Sequence, residues 1–145
     1  MEAYVFDTEA IIAYLYNEPD HENVASKLDA VFEGEAEGSL SEANASEVFY
    51  LVARFQGTAD DRPTKASLRD ADRDLRALER QGLTIRAPSW RLAGEIKADG
   101  GISLADASAV ALAAERDAQL VVGADDDFDD LPLDIDVHQF RTDPA

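Results

Sequence analysis

Tyr4-Val5-Phe6-Asp7-Thr8-Glu9-Ala10-Ile11-Ile12-Ala13-Tyr14-Leu15-Tyr16 is the stretch that decides the fold. Tyr4 to Phe6 is a short apolar run and reads as a strand, with Asp7 at its carboxyl end. Thr8 to Tyr16 reads as a helix, because Ile11, Ile12 and Leu15 recur at helical spacing. Open α/β sheets place their chemistry outside the carboxyl ends of their strands. Asp7 is therefore the first candidate functional residue.

Outward from this stretch, helices and short strands alternate. Asn17-Glu18-Pro19 ends the first helix, since a residue before proline avoids the helical region. Asp20 is placed to cap a second helix carrying Val24, Leu28, Val31 and Phe32. Gly34 to Gly38 reads as an acidic loop that contains or precedes a short strand leading to Leu40. Ser41 caps a helix from Glu42 to about Phe55, buried along Val48, Leu51, Val52 and Phe55. Thr64 opens a long helix to Gln81, with a core face of Leu68, Ala71, Leu75 and Leu78. Gly82 stops it, and Leu83-Thr84-Ile85 is a small strand. Ser89 opens a further helix, and Ala105 to Arg116 forms another. Gln119 to Val122 is a strand that leads through Gly123-Ala124 to Asp125. Leu133, Ile135 and Val137 alternate as a last, edge strand, and Arg141 to Ala145 reads as a mobile tail. The alternation predicts one α/β domain over residues 1–140, with a mostly parallel sheet covered on both faces.

The 145 residues carry 31 acids against 13 Lys plus Arg, a net charge of −18. In dilute salt such a surface repels itself and repels nucleic acid. Near molar salt the screening length falls to about 3 Å. A halophilic source with a salt-rich cytoplasm is therefore expected; the alternative is an ordinary acidic protein with a basic partner. The absence of cysteine excludes disulfides and thiolate metal sites and fits a reducing cytosol. The start Met-Glu-Ala-Tyr has neither the basic end nor the apolar core of a signal peptide, and no apolar run approaches membrane-spanning length. A cytoplasmic protein without membrane contact is expected.

With about one residue in five acidic, only the position of an acid within an element carries weight. Asp7 and Asp125 follow apolar strands, and Asp106 lies in the first turn of a helix. Glu47 falls about 90° from the centre of its helix's apolar stripe, a boundary position half turned inward. Converging carboxylates suit Mg²⁺ or Mn²⁺, which prefer hard oxygen ligands. His21 and His138 are too few and too far apart for a zinc site, and read as surface residues. Each acid also has a structural role open to it. Asp7 can cap the first helix, Ser103-x-x-Asp106 can be a capping box, Glu47 can be an exposed helix acid, and Asp125 can shape a turn.

In these motifs the chain resembles the PIN domain ribonucleases, and within them the VapC-type toxins of type II toxin–antitoxin pairs. The resemblance runs through Val5-Phe6-Asp7-Thr8, the Ser41-led turn to Glu47, Leu104-Ala105-Asp106-Ala107, and Leu120-Val121-Val122 followed by Asp125. It implies a three-layer α/β/α sandwich and a Mg²⁺- or Mn²⁺-dependent endoribonuclease that leaves a 5′-phosphate and a 3′-hydroxyl. It also implies a homodimer and an antitoxin encoded alongside. Asp7, Glu47 and Asp106 are implied to hold the principal metal, and Asp125 a second metal or the attacking water. Asp127 is a weaker candidate at the rim. The chain departs from the family twice. Gly123 stands where the family often has Thr or Ser, and Glu9 where it often has Ser or Asn. Glu9 is either a surface acid or an added charge beside the metals.

Lys65, Arg69, Arg73, Arg76 and Arg80 fall on one arc of the long helix and are candidates for contact with RNA phosphates. The alternative is solubility through intrahelical pairs such as Asp72 with Arg76. Phe49, Tyr50, Phe55, Tyr14 and Tyr16 are core residues or, where exposed, a partner surface. Three competing functions remain open: a non-catalytic PIN-like scaffold for RNA or protein, an RNA-processing PIN nuclease outside a toxin pair, and an aspartate phosphatase or phosphoacceptor. The last is disfavoured, because Glu9 occupies the place of the phosphatases' second Asp.

Overall fold

The computed structural model describes residues 1–124 and 126–141, apart from the side chain of Asp126. Among the described residues five strands form one sheet: β1 (Glu2–Phe6), β2 (Ala36–Ser41), β3 (Thr84–Arg86), β4 (Gln119–Val122) and β5 (Val137–Gln139). Their spatial order is β3-β2-β1-β4-β5, and all four pairings are parallel. The chain first winds outward from β1 to β2 and β3, then returns to the other side of β1 for β4 and β5. The order thus reverses between β1 and β4. A crevice opens at such a point beyond the carboxyl ends of the strands.

Among the described residues six α-helices cover the sheet: α1 (Thr8–Tyr16), α2 (His21–Phe32), α3 (Glu42–Phe55), α4 (Lys65–Gln81), α5 (Trp90–Asp99) and α6 (Leu104–Arg116). Successive strand residues point to opposite faces. Tyr4, Phe6 and Val121 accordingly join α1 to α4 in one core, while Val5, Leu120 and Val122 join α5 and α6 in the other. The result is the expected α/β/α arrangement with a central parallel sheet, and apolar residues on both faces of β1 and β4 are its physical basis. Gly38 lets β2 lie close under α2, since a Cβ there would sit 2.7 Å from a Val31 methyl.

Most helix starts follow the expected capping. The Ser41, Thr64, Ser89 and Ser103 hydroxyls each accept the backbone N–H three residues on. Four local expectations are corrected. Asp20 precedes α2 at φ 66° and makes no side-chain cap bond, so it shapes the turn instead. Leu68 is exposed, and Ser67 is buried in its place because its hydroxyl closes a capping box with Thr64. Leu133 and Ile135 precede β5 and pack on the α5/α6 core without joining the sheet. His21 and His138 are half-buried. The residues after Asp125 begin with a short helical turn, Asp126–Phe128, which buries Phe128.

Arg141 does not belong to a mobile tail. Phe140 is buried, its N–H donates to Val122 O at 2.8 Å, and its carbonyl accepts from Asn23 Nδ2 at 2.8 Å. These bonds carry the chain past β5 and bury Arg141. Residues 142–145 lie outside the described residues. Among the described residues no helix is long and apolar enough to cross a membrane.

The two phenylalanines at opposite extremes of burial provide a check on the core. Phe6 is fully buried, whereas Phe55, expected on the buried stripe of its helix, is 52% exposed because it ends α3 and packs edge-on against Tyr16 at the surface. Phe6→Ala is expected to lower the unfolding free energy by about 3–5 kcal/mol, and Phe55→Ala by about 1 kcal/mol or less, as read by urea denaturation.

Candidate active site

The site is built at the carboxyl ends of β1 and β4, where the strand order reverses. Asp7 ends β1, and its N–H donates to Val121 O on β4 at 3.0 Å, which holds it over the strand boundary. It is also the N-cap of α1, where its Oδ1 accepts the Ala10 N–H at 2.7 Å. The Gly123 N–H, just past β4, is a second donor to this carboxylate. Two backbone donors therefore fix one rotamer, and the carboxyl group is buried.

Burial raises the Asp7 pKa well above the ordinary 3.8, because desolvation disfavours the charged form. The Ala10 N–H opposes this, Glu9 and Asp106 add to it through their charge, and the Gly123 N–H opposes it again. The influence of Asp106 shows that the first turn of α6 faces the end of β1. Ser103 sets that turn by accepting the Asp106 N–H at 3.1 Å.

Glu47 reaches the same edge from α3, which packs on both α1 and α6. It is half-buried, as its position on the helix implied. The Thr8 hydroxyl donates to Glu47 Oε1 at 2.6 Å, and Thr8 Oγ1 accepts from Asn44 Nδ2 at 3.0 Å. Asn44 Oδ1 in turn accepts the Ser41 hydroxyl. A relay thus runs from the N-cap of α3 through Asn44 and Thr8 to Glu47. Asn44 and Glu47 are three residues apart and share a helix face.

Asn44 had no role in the reading of the sequence, although its signal was there: an amide in the first turn of a helix, one turn before a candidate acid. It is fully buried. Glu9 proves to be neither a plain surface acid nor a distant one. Its carboxylate lies against Gly123, where a built Cβ would overlap it. Glu9 Oε1 is also 3.3 Å from Arg141 Nη2.

The structure thus brings Asp106 and Glu9 each within electrostatic reach of Asp7 and directs Glu47 to Thr8, the neighbour of Asp7. Asp125 lies outside the described residues. Asp127 is exposed and lines a cleft with Ile96, Asp99, Gly100 and Gly101. Among the described residues no group of three or more Asp, Glu or His side chains is gathered tightly enough to hold a metal ion. The donor chemistry nevertheless fits a hard cation. The oxygens are carboxylate, and the buried Asp7 carries a desolvation burden that a divalent charge would relieve.

The basic residues of α4 are all exposed. Arg73 pairs with Asp70 at 3.3 Å, and Arg76 with Asp72 at 3.4 Å and Glu79 at 3.5 Å. Lys65, Arg69 and Arg80 make no ion pair among the described residues.

The chain matches the PIN domain family over residues 4–133. No functionally curated protein matches it. Several solved structures share its fold. A chain of VapBC from Salmonella typhimurium, in a DNA-bound crystal structure, aligns with a TM-score of 0.69 at 14% identity, covering 97% of this chain and 100% of that one. A chain of VapBC2 from Rickettsia felis, bound to a promoter DNA fragment, gives 0.67 at 14% identity, covering 94% and 98%. FitAcB from Neisseria gonorrhoeae gives 0.62 at 18% identity, covering 94% and 97%. At these identities the likeness is one of fold.

The buried Asp7 carboxyl makes stability depend on pH. Between its unfolded value near 3.8 and its raised folded value, the folded chain keeps a proton that the unfolded chain has released. Stability then falls as pH rises through that window. Asparagine caps a helix as well as aspartate does, so Asp7→Asn removes the charge and keeps the cap. In chelator, Asp7→Asn is expected to melt above the wild type at pH 7, with the gap closing toward pH 3.8 in melting curves taken across pH.

Proposed function

The chain belongs to the PIN domain family, and on that premise we propose that it is a divalent-metal-dependent endoribonuclease and the toxin of a toxin–antitoxin pair. One observation carries the nuclease reading. The buried Asp7 carboxylate sits at the β1/β4 reversal with the charge of Asp106 beside it. Such an arrangement is unfavourable in the bare protein and suited to a cation.

Asp7 and Asp106 would hold Mg²⁺ or Mn²⁺ together with Glu47, and Asp125 would serve a second ion or the attacking water. When bound, such ions activate water and stabilise the leaving oxygen of a phosphodiester. The remaining work falls to the chain. The Ala10 N–H locks the Asp7 rotamer, and the Ser41–Asn44–Thr8 relay fixes Glu47. Preorganised oxygens of this kind need no rearrangement when substrate arrives. No protein nucleophile takes part.

The toxin role is supported by the shared fold with chains of VapBC and FitAB complexes. An antitoxin and a second copy of this chain are the proposed partners. Tyr16 and Phe55 form an exposed edge-to-face pair with ring centroids 5.6 Å apart, and Tyr50 and Trp90 are also exposed. Exposed aromatics of this kind suit a partner surface. The non-catalytic scaffold draws on a different observation, the lack of a closed three-acid group among the described residues.

Cleavage of an RNA panel in high salt separates the two readings. The wild type is expected to cut with Mg²⁺ or Mn²⁺ and to stop in chelator. Asp7→Asn and Asp106→Asn are each expected to lower the rate by about 100-fold or more. Metal-independent cutting, or equal cutting by Asp7→Asn, would exclude the enzyme reading.

The exposed cations of α4 are the proposed phosphate contacts. Arg69→Gln with Arg73→Gln is expected to reduce the slope of log affinity against log salt by about 1.4 for single-stranded RNA, at about 0.7 per contact. An unchanged slope would assign these arginines to solubility.

A further inference from the structure

The two departures from the family pattern, Glu9 and Gly123, meet in space. The Glu9 carboxylate occupies the volume that any side chain at position 123 would need. Gly123 does not have a left-handed φ, so its backbone would accept another residue, and the obstacle is the Glu9 carboxylate, which would have to leave Arg141 to make way. The bare residue 123 leaves the Glu9 carboxylate room at this place. It stands two residues after Asp7, and the N–H of Gly123 donates to Asp7.

Arg141 holds Glu9 in that position. Its side chain is 1% exposed, and Nη2 lies 3.3 Å from Glu9 Oε1 and 3.2 Å from Glu18 Oε1. Its guanidinium stacks on Phe140 at 4.6 Å. Nε and Nη1 are buried without a hydrogen-bond partner among the described residues. A guanidinium so placed is costly to desolvate, and its two glutamate partners stay 38% and 34% exposed, so the pairs are a weak source of stability. Their better-supported use is to fix geometry.

We propose that Glu9 is a fifth carboxylate of the site, seated over Gly123 and clamped by Arg141, and that it supplies the oxygen that a hydroxyl on residue 123 would otherwise present beside Asp7. The inference rests on the metal-site reading above. Arg141 acts as a positioning residue, and Glu9 accepts hydrogen bonds from the water shell of the cation that Asp7 would hold. The plainer role for the Glu9–Arg141–Glu18 cluster is a staple between α1 and the end of β5. The two roles differ in which glutamate matters, since a staple uses Glu9 and Glu18 alike.

Calorimetric titration with Mn²⁺ alone, in fixed salt and without RNA, tests the inference. Asp7→Asn is expected to abolish binding. Glu9→Gln is expected to weaken it about tenfold, in the range for groups that support metal ligands. Glu18→Gln is expected to change it less than about twofold. Melting of the metal-free protein tests the spatial coupling. Gly123→Thr is expected to lower Tm by about 5 °C, and Glu9→Ser combined with Gly123→Thr to recover it. Equal effects of Glu9→Gln and Glu18→Gln on Mn²⁺, or no effect of either, would overturn the inference while leaving the site standing. A Gly123→Thr defect that Glu9→Ser does not relieve would overturn it as well. Mn²⁺ binding that survives Asp7→Asn would overturn the site reading and the inference together.

Discussion

A carboxylate taken out of water is the constraint on which the rest of the molecule depends. Asp7 has to end β1, begin α1 and face the crevice beside β4, and each of these positions removes it from solvent. Two backbone N–H groups compensate only part of the penalty, and the acids beside it add to the burden. Such a group destabilises the bare fold. The cores on the two sides of the sheet, built from alternating residues of β1 and β4, hold it there all the same.

The elements around the crevice reach one edge for a topological reason. All the strands are parallel, so every strand-to-helix junction lies at the same end of the sheet. Asp7 and Ser41 occupy two such junctions, and Gly123 follows a third strand at the same end. The reversal of strand order between β1 and β4 sends their crossovers to opposite sides. Small polar side chains then carry out the positioning. Ser41, Asn44 and Thr8 form a line of hydrogen bonds that a long or apolar residue at any of the three would interrupt.

Arginine has two distinct uses in this strongly acidic chain. On α4 the cations are exposed, partly paired along the helix, and weakly held. At the end of β5 a single arginine is buried between two glutamates. The first kind is the proposed meeting surface for a negatively charged polymer, and the second is the proposed clamp on Glu9. Position 141 shows why local sequence misleads. Five polar and small residues at a chain end read as a tail, but Phe140 docks against α2 and carries Arg141 inward. That docking depends on Asn23, more than a hundred residues earlier.

The sequence by itself determined the α/β alternation, the bounds of α3, α4 and β4, and the elements that bear Asp7, Glu47 and Asp106. Those features follow from local periodicity, capping hydroxyls and helix stops, all of which act within a few residues. It did not determine the inward face at Leu68 and Ser67, the extent of β2 and β5, the buried role of Asn44, or the meeting of Glu9 with Gly123. Each of those depends on which distant segment packs alongside. Only the tertiary structure decided that two departures 114 positions apart are one feature, because a missing side chain becomes space for another only when the chain folds the two together.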